Sequence, residues 1–237
     1  DPLWSRGLGD VYKRQGAGRS SFTAGSFSLG GIYKLDSAWS VAANTAYTER
    51  APTFYELYAN GPHEATGQYL VGDQGLGKER AWSGDLSLRY KKDADKASIG
   101  VFYSRFSNYL AEINTGRYRN DDGDVVAAGD DGALPEARYQ GVSARLYGLE
   151  AESSTRVLQR NGHKLDLGLS GDYTVARNND TGRSLPRIPP LRLRVALDYG
   201  YGAYNAGVSV SKAFAQHSRP DNLSLIHISE PTRPERI

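Results

Sequence analysis

Two neighbouring side chains, His63 and Glu64, could together bind a metal ion. They lie in the segment APTFYELYANGPHEATG, residues 51–67, which has neither helical nor strand periodicity. Imidazole and carboxylate groups are both ordinary ligands of zinc. Two adjacent residues do not complete a metal site, so further ligands would have to come from elsewhere in the protein. The sequence leaves open the alternative that His63 is a structural or solvated histidine.

A second candidate metal site is the acidic stretch NDDGDVVAAGDDG, residues 120–132. Its side chains Asp121, Asp122 and Asp124 offer the hard oxygen ligands that Ca²⁺ and other divalent cations prefer. The stretch is not an EF-hand loop, because Val125 stands at the sixth position, where that loop requires glycine. The sequence leaves two possibilities open, a loose cation site and a solvated acidic loop.

No motif in the sequence indicates an enzyme. Residues 72–78, GDQGLGK, have the glycine and lysine spacing of a phosphate-binding loop, but Glu79 replaces the hydroxyl residue that would hold Mg²⁺. No nucleophile elbow is present, and the absence of cysteine excludes a thiolate nucleophile. Proteins that bind nucleic acid normally have a strongly basic face, so the formal charge of only +2 argues against a nucleic-acid partner. We therefore predict a protein that is not an enzyme and that has no cofactor.

Between residues 16 and 222 the dominant pattern is an alternation of apolar and polar side chains with a period of two. Residues 82–90 are a clear example, because Trp82, Leu86 and Leu88 alternate with polar residues. Successive side chains of a strand point to opposite faces, so this pattern predicts strands with one apolar and one polar face. Eight strands are predicted, over residues 22–33, 39–48, 82–90, 97–113, 139–157, 165–175, 191–199 and 204–214.

The lengths of the connections predict how these strands are arranged. Short turns alternate along the chain with long loops, which are predicted over residues 49–81, 114–138 and 177–190. Transmembrane β-barrels have this asymmetry, with short periplasmic turns and long extracellular loops. No apolar run approaches the roughly 18 residues of a transmembrane helix. The predicted fold class is therefore all-β, a transmembrane antiparallel up-and-down β-barrel.

The side chains on the two strand faces are consistent with a barrel in a membrane. Aromatic residues lie close to many predicted strand ends, where their amphipathic rings suit the headgroup zone of a bilayer. Charged residues on the polar faces are predicted to point together into a wet or filled interior, because a charge facing lipid near the midplane costs about 2–4 kcal/mol. These residues are Asp85, Arg89, Arg192, Arg194 and Asp198.

The two ends of the chain are related to each other through their coding DNA. Residues 5–15 read SRGLGDVYKRQ, and residues 223–233 read LSLIHISEPTR. One choice of codons for the first segment has a reverse complement that translates into the second, residue for residue. Unrelated protein segments do not have this property, whereas a sequencing adapter translated at both ends of an assembled fragment does. We therefore predict that residues 1–15 and 223–237 are non-native and that residues 16–222 are the protein proper.

The segment around the His63–Glu64 pair resembles the β-barrel of TonB-dependent outer-membrane receptors. In that family a strand ends in an R-A-P-T/S-x-x-E-L segment, here residues 50–57, and a G-x-x-x-L-x-x-E stretch, here residues 72–79, leads into the next strand. FYSRFSNYLAEINTG and GRSLPRIPPLRLR resemble further parts of the same barrel. By this resemblance, four residues form a structural motif at the barrel rim: Arg50, Pro52, Glu56 and Leu57.

The resemblance also implies a function and a location. Receptors of this family have a barrel of roughly 22 strands around a plug, so residues 16–222 are expected to be an internal slice of about eight strands. The implied function is uptake of a metal ion or metal chelate (zinc, haem or a ferric siderophore) across the outer membrane of a Gram-negative bacterium. The implied partners are outer-membrane lipid and the TonB energy-coupling complex, whose contact region is not in this chain. The alternatives are a small closed outer-membrane barrel with an adhesive or structural role, and a soluble all-β binding domain.

Overall fold

The computed structural model describes residues 20–186 and 188–215, and within them it has eleven strands and one short helix. The predicted non-native segments, residues 1–15 and 223–237, lie outside the described residues, so their assignment stays a prediction. In chain order the elements are β1 (Phe27–Lys34), β2 (Trp39–Arg50), α1 (Phe54–Tyr58), β3 (Asn60–His63), β4 (Gln68–Val71), β5 (Glu79–Lys92), β6 (Asp95–Arg119), β7 (Val125–Val126), β8 (Leu134–Arg160), β9 (His163–Asn178), β10 (Arg192–Tyr201) and β11 (Tyr204–Ala213).

Eight of these strands form one antiparallel sheet, and each of them lies on one of the eight segments predicted from periodicity. The order in the sheet is β1-β2-β5-β6-β8-β9-β10-β11, so the strands follow one another up and down. Within the described residues β1 and β11 do not pair with each other, and the sheet is open. The predicted fold class, an antiparallel barrel that is only partly present, is confirmed. The closure that a small eight-stranded barrel requires is not formed by these strands.

Tight turns join the strands at one end of the sheet and fix their register. Asn161 and Gly162, between β8 and β9, have φ angles of 52° and 81°. Positive φ at both central residues is the requirement of a type I′ turn, whose twist matches that of the strands it connects. The turn sets Arg160 opposite His163, and a single register shift between Arg156 and Leu158 separates these pairs from the rest of the β8–β9 ladder. We call this end of the sheet the short-turn end and the opposite end the long-loop end.

One predicted long loop is largely strand in the structure. The loop was predicted over residues 114–138, but β6 continues to Arg119 and β8 begins at Leu134. The pairing of β6 with β8 shifts register between Phe106 and Tyr109 and again between Asn114 and Tyr118. Each shift interrupts the alternation of faces, which is the signal that the prediction used. The prediction of a loop was therefore wrong at both ends of this range.

The 51–78 segment, between β2 and β5, folds back onto the outer part of the sheet. Helix α1 opens it, and a hairpin of β3 and β4 follows. Strand β4 then pairs in parallel with β8, where Tyr69 lies opposite Glu136. Buried side chains concentrate where this segment and residues 179–186 and 188–191 pack on the sheet, and the largest of them are Leu57, Tyr58, Tyr69, Leu70, Leu76, Leu110 and Leu185.

The two faces of the sheet differ in polarity as the sequence predicts. Charged and hydroxyl side chains such as Asp85, Arg89 and Arg192 line its concave side. Large apolar side chains of the opposite face are exposed, and they include Leu86, Leu88, Ile99, Val101, Leu149, Leu169 and Leu197. Among the described residues no helix is both long and apolar enough to cross a membrane.

Aromatic side chains bound the exposed apolar band at both ends. Tyr47 and Trp82 lie opposite each other near the long-loop end, with ring centroids 5.2 Å apart. Trp39 and Tyr90 form the corresponding pair near the short-turn end, with centroids 4.9 Å apart. Within each strand the two aromatic residues are separated by a path of about 27 Å, at roughly 3.4 Å per residue. At the roughly 35–45° tilt of strands in an outer-membrane barrel, this path rises about 19–22 Å, close to the height of the roughly 25 Å apolar band.

The open edges lead to a prediction about residues 16–222 expressed alone. Strands β1 and β11 each present a row of unpaired backbone groups, which can pair with other copies of the chain. We expect this fragment, refolded in detergent, to elute from a sizing column as aggregates and to unfold without a cooperative transition. A monodisperse monomer with one cooperative transition would contradict the prediction, because it would mean that the eight strands close on themselves.

Candidate functional site

Arg50, at the end of β2, joins the 51–78 segment to the sheet. Its guanidinium donates to both carboxylate oxygens of Glu56, at 2.9 and 3.0 Å, and to both oxygens of Glu79, at 3.1 and 3.2 Å. Glu79 begins β5 and lies opposite Arg50 in the ladder. One of its oxygens also accepts from the backbone N–H of Leu110 at 3.0 Å. A single planar guanidinium thus links β2, α1 and β5, and Glu79 extends the link to β6.

Helix α1 is held by a capping box. The Thr53 hydroxyl accepts from the backbone N–H of Glu56 at 3.3 Å, and the Glu56 carboxylate accepts from the N–H of Thr53 at 2.7 Å. The motif explains how a helix of only five residues persists beside two prolines. Burial raises the pKa of Glu56, but the hydrogen bonds from Arg50 and from the Thr53 N–H outweigh it and leave this pKa below its ordinary value. Glu56 therefore stays ionised, and it both caps α1 and pairs with Arg50.

Gly72 allows the two ends of the 51–78 segment to meet. Its N–H donates to the carbonyl of Ala59 at 2.6 Å, and the next N–H, of Asp73, donates to the carbonyl of Glu56 at 2.9 Å. A Cβ on Gly72 would lie 2.6 Å from the carbonyl carbon of Leu57 and 2.7 Å from the nitrogen of Tyr58. Only glycine fits this close backbone approach.

His63 lies at the tip of the β3–β4 hairpin and is partly buried. Its Nδ1 is 3.0 Å from the Thr66 hydroxyl, and that hydroxyl lies 3.4 Å from the His63 carbonyl oxygen. If the hydroxyl donates to the carbonyl, it accepts from Nδ1–H, and the lone pair of the neutral ring is then on Nε2. The ring also meets that of Tyr55 edge-on, with centroids 6.1 Å apart. Glu64 follows at the tip and is exposed.

The acidic residues of the second candidate site lie in the turn between β6 and β7. The backbone of this turn is closed by Asn120, whose N–H donates to the Asp124 carbonyl at 3.1 Å and whose side-chain oxygen accepts from the Asp124 N–H at 2.9 Å. Asp121, Asp122 and Asp124 are all exposed. Within residues 20–186 and 188–215, no three histidine or acidic side chains converge on a point that could hold a metal ion. Metal contact by these residues and by His63 and Glu64 stays a prediction.

A buried carboxylate, Glu136, ties the outer parts of β6, β8 and β4 together. It is fully buried, and it accepts from Arg117 at 2.7 Å, from Arg119 and from the Thr115 hydroxyl at 3.0 Å. Burial alone would raise the pKa of Glu136, but the hydrogen bonds from these three residues lower it below its ordinary value. Arg119 also lies over the ring of Tyr69, 5.6 Å from its centroid. This cluster connects the β6–β8 ladder to the strand that carries the β3–β4 hairpin.

The structure places the four rim residues at the long-loop end. Arg50 and Glu56 form an ion pair, Leu57 is buried against Leu110, and Pro52 is buried just after the last ladder pair of β2. Sequence inspection missed helix α1, although T-x-x-E at residues 53–56 is the signature of its capping box. It also missed the Glu136 cluster, which has no local signal because its partners come from another strand.

The Arg50 bridge leads to a second prediction. Arg50→Gln removes the cation between Glu56 and Glu79, and we expect the 51–78 segment to lose about 2 kcal/mol of local stability, after allowance for the partial exposure of Arg50. Hydrogen exchange measured by mass spectrometry on the full-length protein in detergent should show the amides of Leu57 in α1 and of Ala59 directly after it exchanging about 30-fold faster.

The matched control is Arg89→Gln, because Arg89 contacts a hydroxyl, Ser87, rather than a carboxylate among the described residues. We expect this control to leave exchange in α1 unchanged. Equal exchange in wild type and Arg50→Gln would mean that apolar packing alone holds the segment.

Comparisons with known proteins agree with this geometry. The family model described as TonB dependent receptor-like, beta-barrel matches residues 5–224, a range that begins inside the segment predicted to be non-native. The iron-regulated outer membrane virulence protein of Vibrio cholerae is 26% identical over 165 residues, which make up 67% of this chain and 24% of that protein. The chain thus spans about a quarter of the length of the curated relatives that it matches.

Solved structures share the fold. The copper transporter OprC superposes with a TM-score of 0.60 at 24% identity, over 81% of this chain and 26% of that one. A mutant of the ferric enterobactin receptor from Pseudomonas aeruginosa gives 0.52 at 21% identity, over 78% and 27% of the two chains. The siderophore receptor PirA from Acinetobacter baumannii gives 0.53 at 17% identity, over 78% and 28%.

The solved structures are named as a transporter and two receptors, and the curated relative is named as an outer membrane virulence protein; none of these names is that of an enzyme. The family model covers nearly all of the chain, and the strand order and the two-faced sheet are those of an outer-membrane barrel. The chain therefore belongs to the TonB-dependent receptor family and forms part of a β-barrel in the outer membrane of a Gram-negative bacterium.

Proposed function

We propose that this chain is the part of a receptor that takes up a metal ion or a metal chelate by active transport across the outer membrane. The observation that carries the proposal is the family match over residues 5–224. Relatives named for copper, for enterobactin and for regulation by iron support the class of cargo. The TonB complex would supply the energy through parts of the receptor that lie outside this chain.

The long-loop end of the sheet would capture the cargo. Arg50 and the Glu136 cluster hold the 51–78 segment and the outer parts of β6 and β8 in fixed positions. A segment that is already ordered loses less conformational entropy when a ligand binds than a mobile loop does. The β3–β4 hairpin therefore presents His63 at a defined place on the outer side of the membrane.

The concave side of the sheet would form part of the transport path. It carries carboxylates, guanidinium groups and hydroxyls, including Asp85, Glu150 and Glu152. Such a surface is wetted readily, so a hydrated ion or a polar chelate can pass along it once the plug is displaced. The apolar side meanwhile keeps the strands in lipid.

His63 is the residue of this chain that we assign to metal contact. With Nδ1–H donated to Thr66, its Nε2 would be left to bind a metal. Imidazole binds zinc, copper and iron, so His63 alone does not determine which of these metals is the cargo. Zinc therefore stays one candidate beside copper, haem and a ferric siderophore, and Glu64 or the aspartates of residues 121–124 are candidates for an accompanying oxygen ligand.

Uptake by cells tests the proposed function directly. Cells that lack their own metal receptors would express the full-length receptor encoded by the reading frame that contains this chain. They would be offered radiolabelled zinc, copper, haem and a ferric siderophore in separate assays. We expect several-fold accumulation of at least one cargo over cells with an empty vector, and we expect a protonophore to abolish it.

Two results would contradict the proposal. One is the absence of accumulation for all four cargoes in cells whose outer membrane contains the folded receptor. The other is accumulation that the protonophore does not change, because a passive pore needs no energised inner membrane.

A separate prediction concerns His63 alone. His63→Ala should raise the cargo concentration for half-maximal uptake about tenfold, because the metal or chelate loses a contact. The matched control is His163→Ala, since His163 lies at the short-turn end, stacked on Tyr201 with ring centroids 4.2 Å apart. Uptake by this control should equal that of wild type. An unchanged half-maximal concentration for His63→Ala would assign His63 a structural role and would leave the uptake function standing.

A further inference from the structure

Three arginines stand side by side on neighbouring strands near the long-loop end. Arg105 of β6 lies opposite Arg145 of β8, and Arg145 lies opposite Arg177 of β9. The next position across the sheet from Arg105 on the other side is Trp82 of β5. We call Arg105, Arg145 and Arg177 the arginine band.

The arginine band belongs to the apolar face of the sheet. Within β6, Val101, Tyr103 and Arg105 follow at intervals of two residues without a register shift, so all three point to one face. On β8 the order is Leu149, Tyr147 and Arg145. On β9 it is Tyr173, Val175 and Arg177. Toward the long-loop end, the apolar face of each strand thus passes from apolar or aromatic side chains that are exposed or partly exposed to an arginine.

The aromatic row sets the height of the band in the membrane. Tyr103 and Tyr147 stack with ring centroids 6.5 Å apart, at the level where aromatic girdles meet the headgroups. The arginines lie two residues farther out, about 7 Å along the strand. That position is the zone of lipid phosphates, just outside the apolar band.

In the part of the chain that the structure describes, no carboxylate neutralises the positive charge of the band. Among the described residues no carboxylate lies within 4.0 Å of Arg105, Arg145 or Arg177, and the contact given for Arg177 is a 3.4 Å bond to the Gly182 carbonyl. Like charges directly opposite each other destabilise a ladder. Arg80 is different, because it lies 3.4 Å from Glu49. Within the described ranges, the arginines of the band therefore lack a carboxylate partner of the kind that Arg80 has in Glu49.

We infer that the arginine band binds the phosphate groups of anionic lipid in the outer leaflet. Guanidinium groups bind phosphate with paired hydrogen bonds, and three of them in register match a headgroup that carries more than one phosphate. The acyl chains of the same lipid would lie along Leu149, Val101 and the exposed tyrosines. This inference rests on the outer-membrane placement of the chain and does not depend on the cargo.

The test measures lipid binding by the full-length receptor in neutral detergent with native mass spectrometry. The probe is lipid A with both phosphates, and the comparison lipid is dephosphorylated lipid A. Arg105→Gln with Arg145→Gln should weaken binding of the phosphorylated lipid about 25-fold, at roughly fivefold for each arginine near a lipid surface. Dephosphorylated lipid A should bind wild type and this variant equally weakly.

The matched control removes the same charge from the concave face, as Arg89→Gln with Arg194→Gln. We expect this control to bind the phosphorylated lipid as wild type does. Arg105→Lys with Arg145→Lys should weaken binding several-fold, because lysine keeps the charge but loses the paired hydrogen bonds to phosphate. Heat-dependent mobility on an SDS gel shows whether each variant has folded, and the lysine variant tests the band if the glutamine variant has not.

Three results would overturn the inference. The first is equal binding of phosphorylated lipid A by wild type and by the Arg105→Gln, Arg145→Gln variant. The second is an equal loss in the concave-face control, which would mean that net charge alone is responsible. The third is displacement of the lipid by millimolar inorganic phosphate, which would identify a site for the free anion instead.

Discussion

The structure depends on the requirement that every backbone N–H and C=O inside a bilayer be paired within the protein. Strands satisfy it only through their neighbours, and the eight long strands of this chain do so for all but the outer edges of β1 and β11. The same requirement explains why the turns at the short-turn end are tight and why a single register shift, between Arg156 and Leu158, interrupts the β8–β9 ladder there. A slip of one residue would turn the charged side chains of the concave face toward lipid. Asp85 and Arg89 would then lie in hydrocarbon.

Above the membrane a different interaction takes over. There the chain is wet, and side-chain ion pairs hold the segments that the ladder no longer controls. Arg50 links α1 to the ends of β2 and β5, and Glu136 links β8 to β6 and, through Arg119, to Tyr69 of β4. Each carboxylate has at least one arginine partner and further hydrogen bonds. Buried charges that are paired in this way fix geometry even where their net stabilisation is small.

Much of the membrane-spanning part could be predicted from the sequence. Each strand has one face in lipid and one in water, so apolar and polar residues must alternate along it with a period of two. The eight strands and the polar face with Asp85, Arg89 and Arg192 follow from that period alone. The outer parts of β6 and β8 could not be predicted, because bulges near Phe106 and Asn114 break the period. Helix α1 has a readable signal in Thr53 and Glu56, but it is too short to have a hydrophobic repeat.

The candidate site was harder to predict than the fold. Its geometry depends on contacts between residues far apart in the chain, such as Arg117 with Glu136 and Tyr69 with Arg119. No local sequence pattern predicts such pairs. His63 was visible as a residue type that binds metals, but its hydrogen bond to Thr66 becomes visible only in the fold. The arginine band is likewise invisible without the register, since its members are separated by 30 residues or more.

One face of the sheet contacts lipid and the other contacts water, and spin labels placed along one strand can test this directly. Because this chain has no cysteine, single cysteines can be placed along β5 from Trp82 to Tyr90 and labelled with a nitroxide in the full-length receptor in liposomes. Collision with oxygen reports lipid, and collision with a water-soluble nickel chelate reports water. We expect the two accessibilities to alternate out of phase with a period of two, with accessibility to oxygen highest at Leu86 and Leu88. Uniform accessibility to the nickel chelate along the strand would contradict it.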